Sequence, residues 1–253
     1  MAASPGLDQK RILAIDVGAT NIKHSHVDDH GVLLERVRRR STPSPCAPDQ
    51  LVDLLAARIA RCECVQVGVG FPGQLADGAV VAALNLARRG GVAPSLDRLI
   101  ERQWRGFALA GRLREATGRD VRVANDAALA AYGTCTGEGT EAVLTFGTGL
   151  GLALQRDGVM QSVRDLGAAD YVSGRTYDEV FGEGARARDE QMWRTAAVVV
   201  VSQIAEEFAA TSVHLAGGNA RRLSSSLFGD AGTPVLIHGN EVALRGAAKL
   251  FYP

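Results

Sequence analysis

No stretch of this 253-residue chain stays apolar for the roughly 20 residues that a membrane helix needs. The first ten residues lack the apolar centre of an export signal. Cysteine is scarce. There are four, Cys46, Cys62, Cys64 and Cys135, too few and too scattered for a disulfide framework. Cys62-Glu63-Cys64 suggests half a metal site, but two thiolates alone need partners elsewhere. We expect reduced, structural cysteines in a cytoplasmic protein. An excess of either charge is also missing. Lys+Arg and Asp+Glu both number 28, which argues against a basic surface for nucleic acid or anionic lipid. We expect neither nucleic acid nor membrane as a partner. What remains is a globular composition, 46% apolar and 22% charged, on a chain long enough for one large domain or two lobes of roughly 100–130 residues.

The most informative stretch is Leu13-Ala14-Ile15-Asp16-Val17-Gly18-Ala19-Thr20-Asn21-Ile22-Lys23. An apolar run, Ile12 to Ile15, reads as a buried strand with Asp16 at its end. A turn of small residues follows. Gly18 lets a ligand approach the backbone, Thr20 offers a hydroxyl, and successive N–H groups in such a turn form an anion nest. A carboxylate beside a phosphate cradle makes sense if a divalent cation lies between them, so Asp16 is the candidate ligand for Mg²⁺. The plainer alternative is a hairpin turn with a capping Asp.

The plan recurs. Ala142 to Phe146 enters Gly147-Thr148-Gly149, and a second apolar run, Leu150 to Leu154, leaves it. A duplicated strand–turn–strand unit suggests two lobes of similar plan facing one phosphate chain. Between the copies, Val121-Arg122-Val123 runs into Asn125-Asp126 and an alanine-rich helix. Asp126 near a helix N-terminus can cap it, and the helix dipole also holds it ionised, as a general base requires.

Together these segments resemble the actin-like sugar kinases. Within them the chain is most similar to the ROK family (repressors, open reading frames, kinases), especially its polyphosphate/ATP glucokinase branch. The resemblance spans roughly residues 11–250. It implies an α/β, two-lobed actin-like/ribonuclease-H-like ATPase fold with an interlobe cleft. The N-terminal lobe would be 1–122, completed by a C-terminal helix at about 241–253, and the C-terminal lobe 123–240. It further implies a homodimer that transfers a phosphoryl group from ATP or polyphosphate to a hexose hydroxyl.

By the same resemblance, Asp126 takes the proton from the sugar hydroxyl. Asn125 and Asn85 face the sugar, with Gly73 in the rigid Gly-Phe-Pro-Gly turn as its rim. Gly18, Ala19, Thr20, Asn21, Lys23, Gly147, Thr148 and Gly149 hold the donor phosphates. Gly217, Gly218 and Asn219 form the nucleoside side, where Gly-Gly precedes an expected helix start. The basic run Arg36 to Arg40 reads as a solvated strand edge; a polyanion dock is the sharper alternative. Two family features are altered. The Glu-X-Gly-His sugar segment is matched only by Asp165-Leu166-Gly167-Ala168, which puts a shorter acid and an alanine in the sugar-facing places. The family's cysteine-rich zinc segment is missing, so no structural zinc is expected. These changes leave a catalytically silent sugar sensor or scaffold as the alternative. A repressor would need a helix-turn-helix ahead of the first strand, and ten residues before Arg11 leave no room for one.

Overall fold

The computed structural model describes residues 11–76, 78–89, 95–167, 169–229 and 232–253. Ala168 and the side chain of Asp165 lie outside those residues. The α/β architecture rests on two five-stranded sheets. The first contains β1 (Ile12–Val17), β2 (Asn21–Val27), β3 (Arg38–Ser41), β4 (Gln66–Phe71) and β5 (Asp120–Asn125), ordered β3-β2-β1-β4-β5. The second contains β6 (Thr140–Phe146), β7 (Leu150–Arg156), β8 (Val159–Asp165), β9 (Ser212–Ala216) and β10 (Val235–Ile237), ordered β8-β7-β6-β9-β10. These orders are the same permutation. In each sheet the first strand turns back antiparallel into the second and pairs parallel with the fourth.

The central strands are buried on both faces, so their sequences are apolar without alternation. Leu13, Ile15 and Val17 of β1 face a core with α1 (Pro48–Ile59) and α2 (Leu109–Thr117). Ile12 and Ala14 face the opposite way, onto Leu129 and the C-terminal residues Leu244, Ala247 and Ala248. The same split recurs in β6. Ala142, Leu144 and Phe146 pack with Trp193, Val200 and Ile204 of α4 (Glu190–Glu207), while Val143 meets Ala127, Ala130 and Ala131. Among the described residues no helix is long and apolar enough to cross a membrane.

The last three alanines belong to α3 (Asp126–Thr134), which packs closely on α5 (Val242–Gly246). A side chain at Gly133 would strike the Val242 carbonyl, and one at Gly246 the Leu129 carbonyl. Glycine at each place lets the two backbones touch. Beyond α5 the chain tightens into a 3₁₀ turn, Ala247–Leu250. Arg122 Nη1 donates to the Leu250 carbonyl (2.6 Å) and the Tyr252 hydroxyl to Gln66 Oε1 (2.9 Å), so this end is tied to the first sheet.

Several local expectations need correction. β1 runs one residue past Asp16, to Val17. α1 starts at Pro48, which takes the first helical position, where its missing N–H costs nothing, with Ala47 before it. Residues 31–37 contribute only a bridge from Leu33 to Val27, and β3 starts at Arg38. The Arg38–Ser41 strand is exposed along its length at the sheet edge. Gly217 and Gly218 lead into a single 3₁₀ turn, Ala220–Arg222, not an α-helix, because Leu223 turns the chain back to extended geometry. Cys62 and Cys64 are joined as a disulfide. They lie in the loop between α1 and β4 with a single residue between them, so both sulfurs can face one side.

Candidate active site

A cleft of about 370 Å³ opens where the carboxyl ends of parallel strands from both sheets converge. Asp16 comes from β1, Pro72 and Gly73 follow β4, and Asn125 ends β5. From the other sheet, β6 leads to Gly147, β9 to Gly217, and β10 to Asn240. This rim is where open α/β sheets bind ligands, because turns leaving the strand ends are free of the ladder. Apart from Asp165, whose side chain lies outside the described residues, the residues that the resemblance assigns to metal, phosphates, sugar and nucleoside all line this cleft.

The two glycine turns are tight. Gly18 N–H donates to the Asn21 carbonyl (2.9 Å) and Gly147 N–H to the Gly149 carbonyl (2.9 Å), so these two groups close their own turns. Thr42 Oγ1 donates to the Gly18 carbonyl (2.7 Å) and fixes the first turn from outside. Thr20 Oγ1 and Thr148 Oγ1 stand 3.3 Å apart, one from each turn. Asp178 Oδ1 accepts from Leu150 N–H (3.1 Å) and braces the second turn from behind. A side chain at Gly149 or Gly167 would strike that carboxylate. Tyr171 and Tyr177, whose rings stack with Phe181 at 4.9 and 5.8 Å, belong to the core cluster of the second sheet.

Asp126 is the first residue of α3, and the N-cap is its neighbour Asn125. Asn125 Oδ1 accepts from Ala127 N–H (2.8 Å) and Ala128 N–H (3.3 Å). Its Nδ2 donates to the Gly73 carbonyl (2.9 Å), tying the expected sugar rim to the helix that carries Asp126. With the cap supplied by Asn125, the Asp126 carboxylate sits at the positive end of the helix dipole, where its ionised form is favoured. Oδ1 of Asp126 accepts from Ala127 N–H (2.9 Å).

Lys23 sits opposite Asp16 across the β1–β2 ladder, and its Nζ donates to Asp16 Oδ2 (2.7 Å) and Asn240 Oδ1 (2.8 Å). Both side chains are nearly buried, at 16% and 10% exposure, so losing either partner would leave the other charge unpaired in low dielectric. The donor set suits Mg²⁺: one carboxylate with its second oxygen not used by Lys23, beside room for waters and donor phosphates.

On the other wall, Asn219 Nδ2 donates to the Gly147 carbonyl and its N–H to the Phe146 carbonyl, both at 3.0 Å. Gly217 has φ +90°, and a side chain there would strike the Phe146 carbonyl. The nucleoside-side turn is therefore stitched to the phosphate turn. Among the polar and charged cleft residues, Asn240, Glu183 and Arg164 have no counterpart in the sequence reading. Asn240 was legible in principle, as a polar residue just past a strand end. Glu183 lies in a short helix, Glu183–Arg188, within a polar stretch without periodic signal. The bonded Arg186 guanidinium holds its carboxyl below the usual range, against the opposing effect of burial. Arg164 lies next to Asp165 in β8, with its guanidinium 5.6 Å from the Phe208 ring centre.

The ROK family profile matches residues 12–162, more than half the chain. The protein belongs to the ROK family. No curated protein matches the sequence. Among solved structures, the chain is similar to an inorganic polyphosphate/ATP-glucomannokinase from Arthrobacter sp. strain KM, with 27% identity and a TM-score of 0.78. The match covers 95% of this chain and 97% of that one. It shares its fold with a ROK family glucokinase from Streptomyces griseus solved with glucose and AMPPNP, at 19% identity and TM-score 0.74, covering 95% and 98%. It also shares it with a ROK family transcriptional regulator homologous to the E. coli MLC protein, at 14% identity and TM-score 0.62, covering 94% and 76%. ROK proteins thus include kinases and regulators on one scaffold, and the fold alone does not choose between them.

Proposed function

We propose that this ROK protein is a sugar kinase that moves a phosphoryl group from ATP or polyphosphate to a hexose hydroxyl. The observation that carries the reading is Asp126 at the head of α3, in one cleft with two glycine-threonine turns on opposing sheets. A positioned carboxylate and two phosphate cradles are what in-line transfer requires, since the protein's task is orientation and charge neutralisation. The hydroxyl's proton passes to the Asp126 carboxylate as its oxygen bonds to phosphorus and the bridging bond to the donor breaks. Gly18 and Gly147 spend their N–H groups on their own turns, so the donor oxygens fall to the N–H groups of Ala19, Thr20, Thr148 and Gly149 and the two threonine hydroxyls. Asp16 would hold Mg²⁺ through water, and the ion supplies charge neutralisation at the phosphates. Lys23 orients Asp16 and adds positive charge to the same wall. Gly217, Gly218 and Asn219 flank the nucleoside when the donor is ATP. Asn85, Asn125 and Gly73 shape the sugar side. Lobes at 1–122 with about 241–253, and at 123–240, closing on the sugar would exclude water and suppress hydrolysis.

A silent sugar sensor is the second reading, favoured by Asp165 and Ala168 in the altered sugar segment. A panel of sugars crossed with ATP and polyphosphate, read by mass spectrometry of the product, decides. A kinase gives a sugar phosphate in at least one combination. A sensor binds a sugar in calorimetry and gives none.

A further inference from the structure

Away from the cleft, three soft ligands meet. His26 lies near the far end of β2, and Cys62 and Cys64 lie in the loop between α1 and β4. His26 Nε2 is 3.2 Å from Cys62 Sγ, and the ligand atoms of all three residues lie within 4.8 Å of one another. All three are buried, at 9%, 5% and 8% exposure. The other ring nitrogen, His26 Nδ1, is 2.9 Å from Glu35 Oε1. That carboxylate accepts the Nδ1 proton, so a neutral ring turns its unshared pair at Nε2 toward the sulfurs. This is the tautomer and orientation of a metal-bound imidazole with a carboxylate behind it. Cys64 N–H donates to Cys62 Sγ (3.1 Å), a contact that stabilises a thiolate.

We propose that His26, Cys62 and Cys64 form a Zn²⁺ site when the disulfide is reduced, with Glu35 as the outer partner that fixes His26. The disulfide and the metal site are alternative states of the same sulfurs. Reduction by a thiol or phosphine adds two electrons and two protons to give two thiols, and Zn²⁺ then displaces both protons. Ligand atoms around a tetrahedral zinc lie about 3.5–3.8 Å apart, given Zn–S of ~2.3 Å and Zn–N of ~2.0–2.1 Å. The Cys62 and Cys64 Cα atoms are 5.3 Å apart, so separating the sulfurs that far needs only side-chain rotation. The bound ion would clamp β2 to the loop entering β4. The sequence leaves the Cys-X-Cys pair without a partner, and His26 supplies it. The site would lie at a place unrelated to the family's missing cysteine-rich segment.

A second cluster, Cys135, Glu141 and His214, serves as the control. There the Glu141 carboxylate is already occupied by the N–H groups of Thr136 and Gly137 and by His214.

The test uses the full chain, reduced with a phosphine under nitrogen; water supplies the oxygen of the phosphine oxide. Excess reductant is removed and Co²⁺ is titrated in as the visible substitute for Zn²⁺. We expect one equivalent to bind with a strong thiolate-to-cobalt absorption band, which Zn²⁺ abolishes by displacement. Cys64→Ser should remove most of the band, Glu35→Gln should weaken binding roughly 10–100-fold, and Cys135→Ser should change neither. Protein with the disulfide intact should give no band. The proposal fails if reduced wild type gives no band, or if the band survives in Cys64→Ser or in oxidised protein. Should Cys64→Ser not fold, oxidised wild type and Glu35→Gln decide the matter, because both keep the cysteines.

Discussion

The hydroxyls of Thr20 and Thr148, 128 residues apart in sequence, stand 3.3 Å from each other across the cleft. Each comes from the turn after the first strand of its sheet, so the pair marks where the two duplicated halves meet. Two hydroxyls at that distance can share one phosphate oxygen or its neighbours. Thr20→Val and Thr148→Val keep the shape and remove the donor. Each should raise the donor KM about tenfold, as expected for one lost hydrogen bond of ~1–1.5 kcal/mol, with sugar KM and melting temperature nearly unchanged. A donor KM that stays put in both variants would take the hydroxyls out of the cradle.

Asp126→Asn should lower kcat about 10²–10⁴-fold while ATP affinity survives. The cap on α3 comes from Asn125, so the variant should keep its fold, and circular dichroism will show it. Near-normal turnover would remove Asp126 from the mechanism.

Asp16→Ala should weaken Mg²⁺-supported donor binding more than sugar binding. The buried Lys23 ammonium then loses one acceptor and keeps Asn240, so a drop in melting temperature should accompany it. Equal losses of sugar and donor affinity in calorimetry would make Asp16 purely structural.

Much of this geometry was legible because apolar strands ending in small polar turns are local signals. β1, β6 and the Asn125-Asp126 junction fall in that class. What escaped depends on tertiary partners. Nothing local says that Lys23 spends its charge on Asp16, or that Gly18 spends its N–H on Asn21. Nor does Cys-X-Cys reveal a histidine 36 residues earlier in the chain. Nor is the start of α1 marked by a side-chain cap: Pro48 takes the first helical position, which proline's fixed backbone suits.

The His214–His238 pair should make the protein acid-sensitive. Their rings stack, with His214 Nδ1 2.9 Å from His238 Nε2 and His214 Nε2 3.1 Å from Glu141 Oε1. One proton arrangement satisfies all three groups: His214 donates to the carboxylate and accepts from His238, with both rings neutral. Burial holds both histidines below their ordinary range, and for His238 the neighbouring ring adds to this. Above about pH 6.5 folded and unfolded chains are equally neutral here, and the pair's stability is fully present. As pH falls below that, the unfolded chain takes up protons that the folded chain refuses, and stability is lost. Melting temperature should drop between about pH 7 and 5, and His238→Gln, which can still donate to His214, should shrink the drop. An equal drop in the variant would place the acid sensitivity elsewhere.

The last prediction concerns the sugar. By the family resemblance, Asp165 and Ala168 would stand where glucokinases carry a glutamate and a histidine toward the sugar hydroxyls. The backbone of Asp165 pairs with Gly151, a cleft residue, so the segment does reach the site. Asp178, a candidate replacement nearby, spends an oxygen on Leu150 N–H and braces the second turn. Each absent hydrogen bond to a substrate hydroxyl costs about 1–3 kcal/mol, roughly one to two decades in affinity. Glucose should therefore be a poor substrate, or another polyol should outperform it. Asp165→Glu with Ala168→His should raise kcat/KM for glucose by at least tenfold if both contacts are regained. Wild-type protein that phosphorylates glucose with ordinary efficiency, and a double variant without gain, would show that this segment is not the sugar-binding one. The cleft residues Glu183 and Arg164 would then be the next to substitute.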